Sequence, residues 1–204
     1  MSEQWAEANL ATIRSLMERA AIYRRALGPV MTAAGGIGTL AAVGACFLEI
    51  PTARGFAIYW MATACLALAA AYFLVRRQAF KSSEPFWSPP TRRVTSAFLP
   101  GFFSGAMLGG LLCMANPEDG VVAVCCFWMV LYGCAVHSAG FFMPRGMKLF
   151  GWVAVLGGFG LLIFYSGGVD MPELEMGHYV MGGFFGVGHL LYGVYLFVTE
   201  AKRG

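Results

Sequence analysis

The chain has 204 residues, of which 58% are hydrophobic and 12% are charged, and its formal net charge is +3. The charged fraction is about half that of a typical soluble domain, so we expect most of the chain to be embedded in lipid. Apart from the pairs Arg76–Arg77 and Arg92–Arg93, the sequence has no basic stripe that could follow a phosphate backbone. A nucleic-acid partner is therefore not expected.

The first 28 residues are polar enough to be soluble, and they predict an amphipathic helix. At helical spacing, Trp5, Ile13 and Leu16 share one face, while Arg14 and Glu18 lie on the opposite face. We expect this helix to dock on the cytoplasmic side of the protein, to lie on the membrane surface or to bind a partner.

Six apolar runs follow, each close to the ~20 residues that are needed to cross the hydrocarbon core of a bilayer. Pro29 is expected to open the first run, because the first turn of a helix does not need the N–H group that proline lacks. The runs predict spans at about Pro29–Ile50, Phe56–Val75, Val94–Met114, Val121–Met143, Leu149–Val169 and His178–Val198. The predicted fold is an all-α integral membrane protein. It is divided into the amphipathic helix 1–28, a transmembrane hairpin 29–75, a loop 76–93 and a four-helix transmembrane section 94–204.

The basic residues predict the orientation of the chain in the membrane. Every Lys and Arg except Arg54 lies in the N-terminal segment, in the connections after the second and fourth spans, or at the C-terminus. Basic residues accumulate on the cytoplasmic side of membrane proteins, so both termini are predicted to be cytoplasmic.

The loop 76–93 is the long polar segment between the predicted spans. Its three prolines, Pro85, Pro89 and Pro90, are expected to stiffen it. It is predicted to contact anionic lipid headgroups or a membrane or cytoplasmic protein partner. A solvated connector with interfacial anchors is the alternative. The contact residues would be Arg76, Arg77, Lys81, Phe86, Trp87, Arg92 and Arg93.

Glycines at helical spacing predict close contacts between spans. In lipid, small residues three or four positions apart let two helix backbones approach each other, and the partner helix is more often internal than a second subunit. The predicted packing glycines are Gly101, Gly105, Gly109, Gly133, Gly140, Gly182, Gly186 and Gly193.

Two histidines, His137 and His189, lie on the glycine-lined faces of the fourth and sixth spans. In one interpretation both are neutral and bond across the bundle to Tyr132, Tyr192, a serine or a backbone carbonyl. In the other they are a functional site that binds a ligand, with haem iron as one candidate cofactor. Their depths differ by roughly 7 Å along the membrane normal at 1.5 Å per residue, which is awkward for one haem.

Other chemistry lacks its sequence signature. No Asp, Glu, Lys or Arg falls well inside a predicted span, and neither HExxH nor GxSxG occurs. The six cysteines lie in apolar runs without CxxC spacing, which is typical of packing residues and gives no sign of a metal site. We therefore do not expect an enzyme.

Two segments, Phe86–Arg93 (FWSPPTRR) and Tyr132–Gly146 (YGCAVHSAGFFMPRG), resemble small six-span proteins of the bacterial inner membrane that have no assigned activity. The resemblance implies a bacterial inner-membrane location. Our leading hypothesis is a non-enzymatic accessory or sensory protein that contacts a partner through its cytoplasmic face. The alternatives are a ligand-binding or redox protein that uses His137 and His189, and a facilitator of a small neutral solute.

Overall fold

The computed structural model describes residues 21–81, 85–115, 120–143, 146–168 and 172–201. Within these ranges the chain forms helices joined by short connections, with no strand. Six helical segments are long and apolar enough to cross a membrane. The prediction of an all-α protein with six potential membrane spans is therefore confirmed. Residues 1–20, which make up most of the predicted amphipathic helix, lie outside the described ranges.

Seven α-helices account for the six spans in the described ranges. A 3-10 turn, Gly140–Phe142, extends α4, and a π-helical segment, Gly182–Gly188, joins α6 to α7 without a break. We call the continuous unit from α6 to α7 the sixth span. The α-helices are α1 (Ala21–Ala45), α2 (Ala53–Lys81), α3 (Pro89–Ala115), α4 (Val121–Ala139), α5 (Gly146–Ser166), α6 (Glu173–Met181) and α7 (His189–Ala201).

Proline has a different place in α1 from the one that the sequence predicts. The helix begins at Ala21, so Pro29 lies inside it and not in its first turn. An internal proline removes one backbone hydrogen bond, but transmembrane helices accommodate proline because neighbouring helices and side chains satisfy the freed groups. The last part of the predicted amphipathic segment is thus continuous with the first span.

The connection between α2 and α3 is shorter than the predicted loop 76–93. Residues 76–81 continue α2 and residues 89–93 begin α3, and the described part of the connection is residues 85–88. Pro89 and Pro90 open α3, where their missing N–H groups cost nothing. The hydroxyl groups of the buried residues Ser88 and Thr91 lie 3.0 Å apart and close this first turn. The prolines therefore start a helix here.

Helix α4 is at the centre of the bundle. About 56% of its span is buried inside the protein, against 6% of α2. It runs antiparallel to α3 and α5 and parallel to the sixth span, since Val121 lies beside Gly177 and Tyr132 bonds to His189. Helix α1 packs antiparallel to the sixth span on one side and against α2 on the other.

The charged side chains distinguish two ends of the bundle. The acidic end carries Glu49, Glu173 and Glu175. The basic end contains the connections between α2 and α3 and between α4 and α5, and its described basic residues are Arg76, Arg77, Lys81, Arg92, Arg93 and Lys148.

Many large apolar side chains cover the outside of the bundle, such as Leu40 at 73% and Ile163 at 71% exposure, as expected where lipid is the solvent. All six thiols are free.

Each end of the bundle has its own apolar cluster. The cluster toward the acidic end includes Phe56, Trp60, Val121, Cys125, Trp128 and Met181, and the one toward the basic end includes Leu27, Met31, Val136, Met147, Phe150 and Leu196.

Candidate functional site

His189 is the buried titratable group in the middle of the bundle, with 3% of its surface exposed. Its Nε2 atom lies 2.7 Å from the hydroxyl of Tyr132, and its Nδ1 atom lies 3.0 Å from the backbone carbonyl of Phe184. A carbonyl only accepts hydrogen bonds, so Nδ1 carries the proton, and the Nε2 of the neutral ring accepts the Tyr132 hydroxyl proton. Both ring nitrogens are therefore satisfied by the protein.

The π-helical segment explains why this carbonyl is within reach. The sequence of Gly182–Gly188 is GGFFGVG, and four glycines in seven positions permit the wider turn. The backbone N–H of His189 donates to the carbonyl of Gly186, while its own side chain bonds to the carbonyl five residues back, that of Phe184. A side chain thus completes the hydrogen bonding at the place where the helix widens.

Aromatic rings enclose the imidazole on several sides. Phe150 and Phe184 approach it edge-on, with ring centroids 5.0 and 5.6 Å away, and Phe185 stacks at 5.8 Å. We call this group, together with Tyr132, the His189 box. It joins α4, α5 and the sixth span. Because a polar group in a dry interior is costly unless paired, the two hydrogen bonds make this junction specific.

His137 occupies a different environment. Its Nδ1 lies 3.3 Å from the carbonyl of Lys148, and its ring contacts Phe141 and Trp152 edge-on at 5.4 and 5.6 Å. The ammonium group of Lys148 lies 3.8 Å from the centroid of the Phe141 ring, a cation–π contact at the basic end. His137 therefore packs on α5.

The two histidines are not brought together by the contacts of the described residues. An axial bond from His189 to haem iron would require the Tyr132 or Phe184 bond to break and the closed His189 box to open. The surroundings of His189 therefore do not fit a haem, and the hypothesis of a cofactor between His137 and His189 gains no support from this geometry. Among the described residues, no group of three or more His, Cys, Asp or Glu side chains could hold a metal ion.

A third histidine, His178, belongs to an aromatic cluster toward the acidic end. The indole N–H of Trp60 donates to its Nδ1 over 3.1 Å, and the Phe56 ring lies edge-on at 4.9 Å. The hydroxyl of Tyr59 donates to the carbonyl of Ala41 over 2.5 Å. These two bonds connect α2 to the sixth span and to α1, at the end of α2 that holds four of its five buried residues, Ala53, Phe56, Ala57 and Trp60.

Glu173 holds the start of α4. One of its oxygens accepts hydrogen bonds from the backbone N–H groups of Gly120 and Val121, at 2.5 and 2.7 Å. The first N–H groups of a helix have no partner within it, and a carboxylate there also complements the helix dipole. The sequence does not predict this role, because its signal there is an acidic residue in a connection between predicted spans.

The eight glycines predicted for helix packing all lie against other helices. Added Cβ atoms at Gly101, Gly105 and Gly109 would meet α4, those at Gly133 and Gly140 would meet α5, and those at Gly182, Gly186 and Gly193 would meet α1. The contacts are close: a Cβ at Gly109 would overlap the indole of Trp128, whose N–H donates to the carbonyl of Gly105 over 2.9 Å. Sequence analysis missed the glycines on the facing helices, Gly35, Gly38, Gly151 and Gly158.

The basic end carries the residues that were predicted to contact a partner or lipid. The guanidinium of Arg76 lies 5.5 Å from the centroid of the Phe80 ring. Phe86 folds back to contact Tyr72 edge-on at 5.1 Å, and Trp87, which packs beside Phe86, is 59% exposed. The helix that follows contributes Arg92 and Arg93, both exposed, to one wall of a cleft.

Comparison with protein-family models finds no match to this chain, and comparisons with curated proteins and with solved structures find none either. The fold defines the molecule as an all-helical bundle with six helices that could cross a membrane. Its function is therefore inferred from its own geometry.

Proposed function

We propose that this chain is a non-enzymatic accessory or sensory protein of the bacterial inner membrane, and that its basic end contacts a partner protein in the cytoplasm. The six apolar helices support the multi-pass location. The distribution of Lys and Arg, with Arg54 as the exception, supports an orientation in which the basic end and both termini are cytoplasmic.

One contrast carries the proposal: the described interior polar side chains, with Tyr192 as the exception, are held in hydrogen bonds within the bundle, whereas the basic end presents exposed polar and aromatic groups. Inside, His189 bonds to Tyr132, His178 to Trp60, and the Trp128 indole to a backbone carbonyl. Groups engaged in this way serve to hold the helices together. The basic end therefore offers another molecule exposed cationic and aromatic side chains that are not engaged in holding the helices together.

The partner surface consists of the end of α2 and the connection that follows it. Its exposed aromatic side chains are Phe80 at 71% and Trp87 at 59%, next to the guanidinium groups of Arg76 and Arg77 and the ammonium of Lys81. Arginine and tryptophan are enriched among the residues that dominate binding energy at protein interfaces. The positive charge favours a partner with an acidic surface.

Site-specific photo-crosslinking in native membranes tests the proposal. A photoreactive amino acid at Trp87 should give one discrete protein adduct, and the same amino acid at Tyr179, which is 58% exposed at the acidic end, should not. The triple variant R76Q/R77Q/K81Q should lower the adduct yield at position 87. Equal adducts at both positions, or only lipid adducts at position 87, would contradict the proposal.

The predicted amphipathic helix can be tested in the same assay. Deletion of residues 1–20 stops short of α1, so the bundle should still fold. If this segment contributes to partner binding, the adduct at position 87 should weaken while the unfolding temperature of the purified protein stays the same. An unchanged adduct would assign partner binding to the α2 surface alone.

A further inference from the structure

A cleft of about 630 Å³ opens at the basic end between the start of α3 and the turn that follows α4. Pro89, Arg92, Arg93, Ser96 and Ala97 line one wall and Phe142 lines the other. Beneath it, the buried side chains of Val94 and Ala139 pack α3 against the end of α4. The cleft is therefore a recess between two packed elements.

The wall on α3 changes in polarity along the helix axis. Its residues recur at intervals of three and four, so they share one face. From the helix start inward, the face presents two guanidinium groups at Arg92 and Arg93, then the hydroxyl of Ser96, then the methyl of Ala97. Phe142 adds an exposed apolar ring opposite. A ligand matching this order has an anionic group at one end and an apolar part that follows it toward the membrane.

The two guanidinium groups are available to such a ligand. Among the described residues no carboxylate lines the cleft, and neither arginine side chain forms an ion pair with any of them. Few backbone N–H groups at the helix start could bind the anionic group in place of the arginines. Pro89 and Pro90 lack N–H groups, and the backbone N–H of Arg92 already donates to the carbonyl of Ser88. Arginine suits phosphate because its planar group donates two parallel hydrogen bonds.

We propose that this cleft binds the headgroup of an anionic phospholipid, with the phosphate on Arg92 and Arg93 and the glycerol and upper acyl chain along Ser96, Ala97 and Phe142. The position fits, because the cleft lies where the apolar span meets the basic end, the depth of a lipid phosphate. The site does not depend on the partner surface, which lies on α2 and the connection after it. The lipid would fill a recess between α3 and the end of α4.

Lipid retention by the purified full-length protein tests this proposal. The protein is reconstituted in nanodiscs containing equal amounts of phosphatidylglycerol and phosphatidylcholine, transferred to detergent, and analysed by native mass spectrometry. We expect one phosphatidylglycerol to be retained preferentially per chain. The double variant R92Q/R93Q should lower that preference by at least about tenfold, because the loss of even one charge-assisted hydrogen bond has an effect of that size.

Two further variants separate the cleft from general positive charge. R76Q/R77Q removes the same charge from the same end but outside the cleft, and it should retain lipid as the wild type does. S96W keeps both arginines and fills the cleft at an exposed position, so it should lose retention. Matching unfolding temperatures show that all three variants fold.

Three results would overturn the assignment. They are an equal loss in R76Q/R77Q, no preference for phosphatidylglycerol in the wild type, and displacement of the lipid by millimolar inorganic phosphate, which would indicate a soluble phosphate ligand. None of them bears on the crosslinking at Trp87, since no partner protein is present in this experiment.

Discussion

Two tyrosines of the bundle have opposite hydrogen-bonding situations. The hydroxyl of Tyr132 is the partner of the buried His189 ring. The hydroxyl of Tyr192 is also buried, yet none of the described residues forms a hydrogen bond with it, and it lies against Gly146 at the start of α5. The same chemical change at these two positions should therefore have different effects.

Tyr132→Phe should destabilise the protein by about 1–3 kcal/mol, because it leaves Nε2 of the buried His189 without a donor. Tyr192→Phe removes a hydroxyl to which the described part of the chain offers no partner, so it should leave stability unchanged or raise it. Thermal unfolding in the same detergent, followed by circular dichroism, measures both. Equal losses in the two variants would show that the Tyr132–His189 bond contributes nothing specific.

At the scale of elements, glycines set the distance between α1 and the sixth span. A Cβ at Gly35 would come within 2.4 Å of the backbone nitrogen of Leu190, and one at Gly38 within 2.6 Å of the carbonyl oxygen of Phe185. These neighbours are backbone atoms and cannot move aside. The adjacent Gly36 has no atom within 4 Å of the same position. Only one face of α1 therefore requires glycine.

Gly35→Ala should force α1 away from the sixth span and cost about 1–3 kcal/mol, the usual range for an overpacked site. Gly36→Ala adds the same methyl group on the open face and should cause no loss, since alanine favours a helix more than glycine does. To compare the two variants, samples are heated to a series of temperatures, and the folded peak that remains is measured by size-exclusion chromatography. Similar midpoints for the two variants would contradict the close approach of the helices.

The carboxylate of Glu173 connects two elements at the acidic end. Glu173→Ala leaves the N–H groups of Gly120 and Val121 without their acceptor, and loss of such a cap costs about 0.5–2 kcal/mol. Glu175→Ala is the matched control, because Glu175 is exposed and bonds to Tyr179 on its own helix. Hydrogen exchange should accelerate at the first turn of α4 in the first variant only. Acceleration in both would argue against a specific cap.

At the scale of the whole molecule, the proposed orientation makes a prediction about fusion proteins. Alkaline phosphatase is active only outside the cytoplasm, and green fluorescent protein exported unfolded does not fluoresce. A phosphatase fused after residue 168, between α5 and α6, should be active, and one fused after residue 204 should be inactive. Fluorescent-protein fusions at the same two positions should give the reverse result, and the opposite pattern would invert the orientation.

Hydropathy predicted the number of potential membrane spans because crossing ~30 Å of hydrocarbon imposes a length that local sequence reveals. Helix ends near prolines were misplaced, because a proline fits the first turn of a helix and also other places in the chain. Pro29 lies inside α1, whereas Pro89 and Pro90 begin α3, and tertiary packing decides between these positions. The His189 bond to the Phe184 carbonyl depends on the π-helical segment, which has no signal beyond abundant glycine. The sequence indicated which helix faces carry packing glycines. It did not indicate which helices these faces contact, because that pairing is set by the assembled bundle.

The cap on α4 has a consequence for the synthesis of the protein. The N–H groups of Gly120 and Val121 receive their acceptor from Glu173, which is 53 and 52 positions later in the chain. At the usual speed of translation, roughly 3–10 s separate the two segments. During that time the first turn of the central helix lacks its acceptor, and α1 lacks the helix against which its glycines pack. The sixth span therefore completes the packing of α1 and the cap of the central helix only after both of those helices have been synthesised.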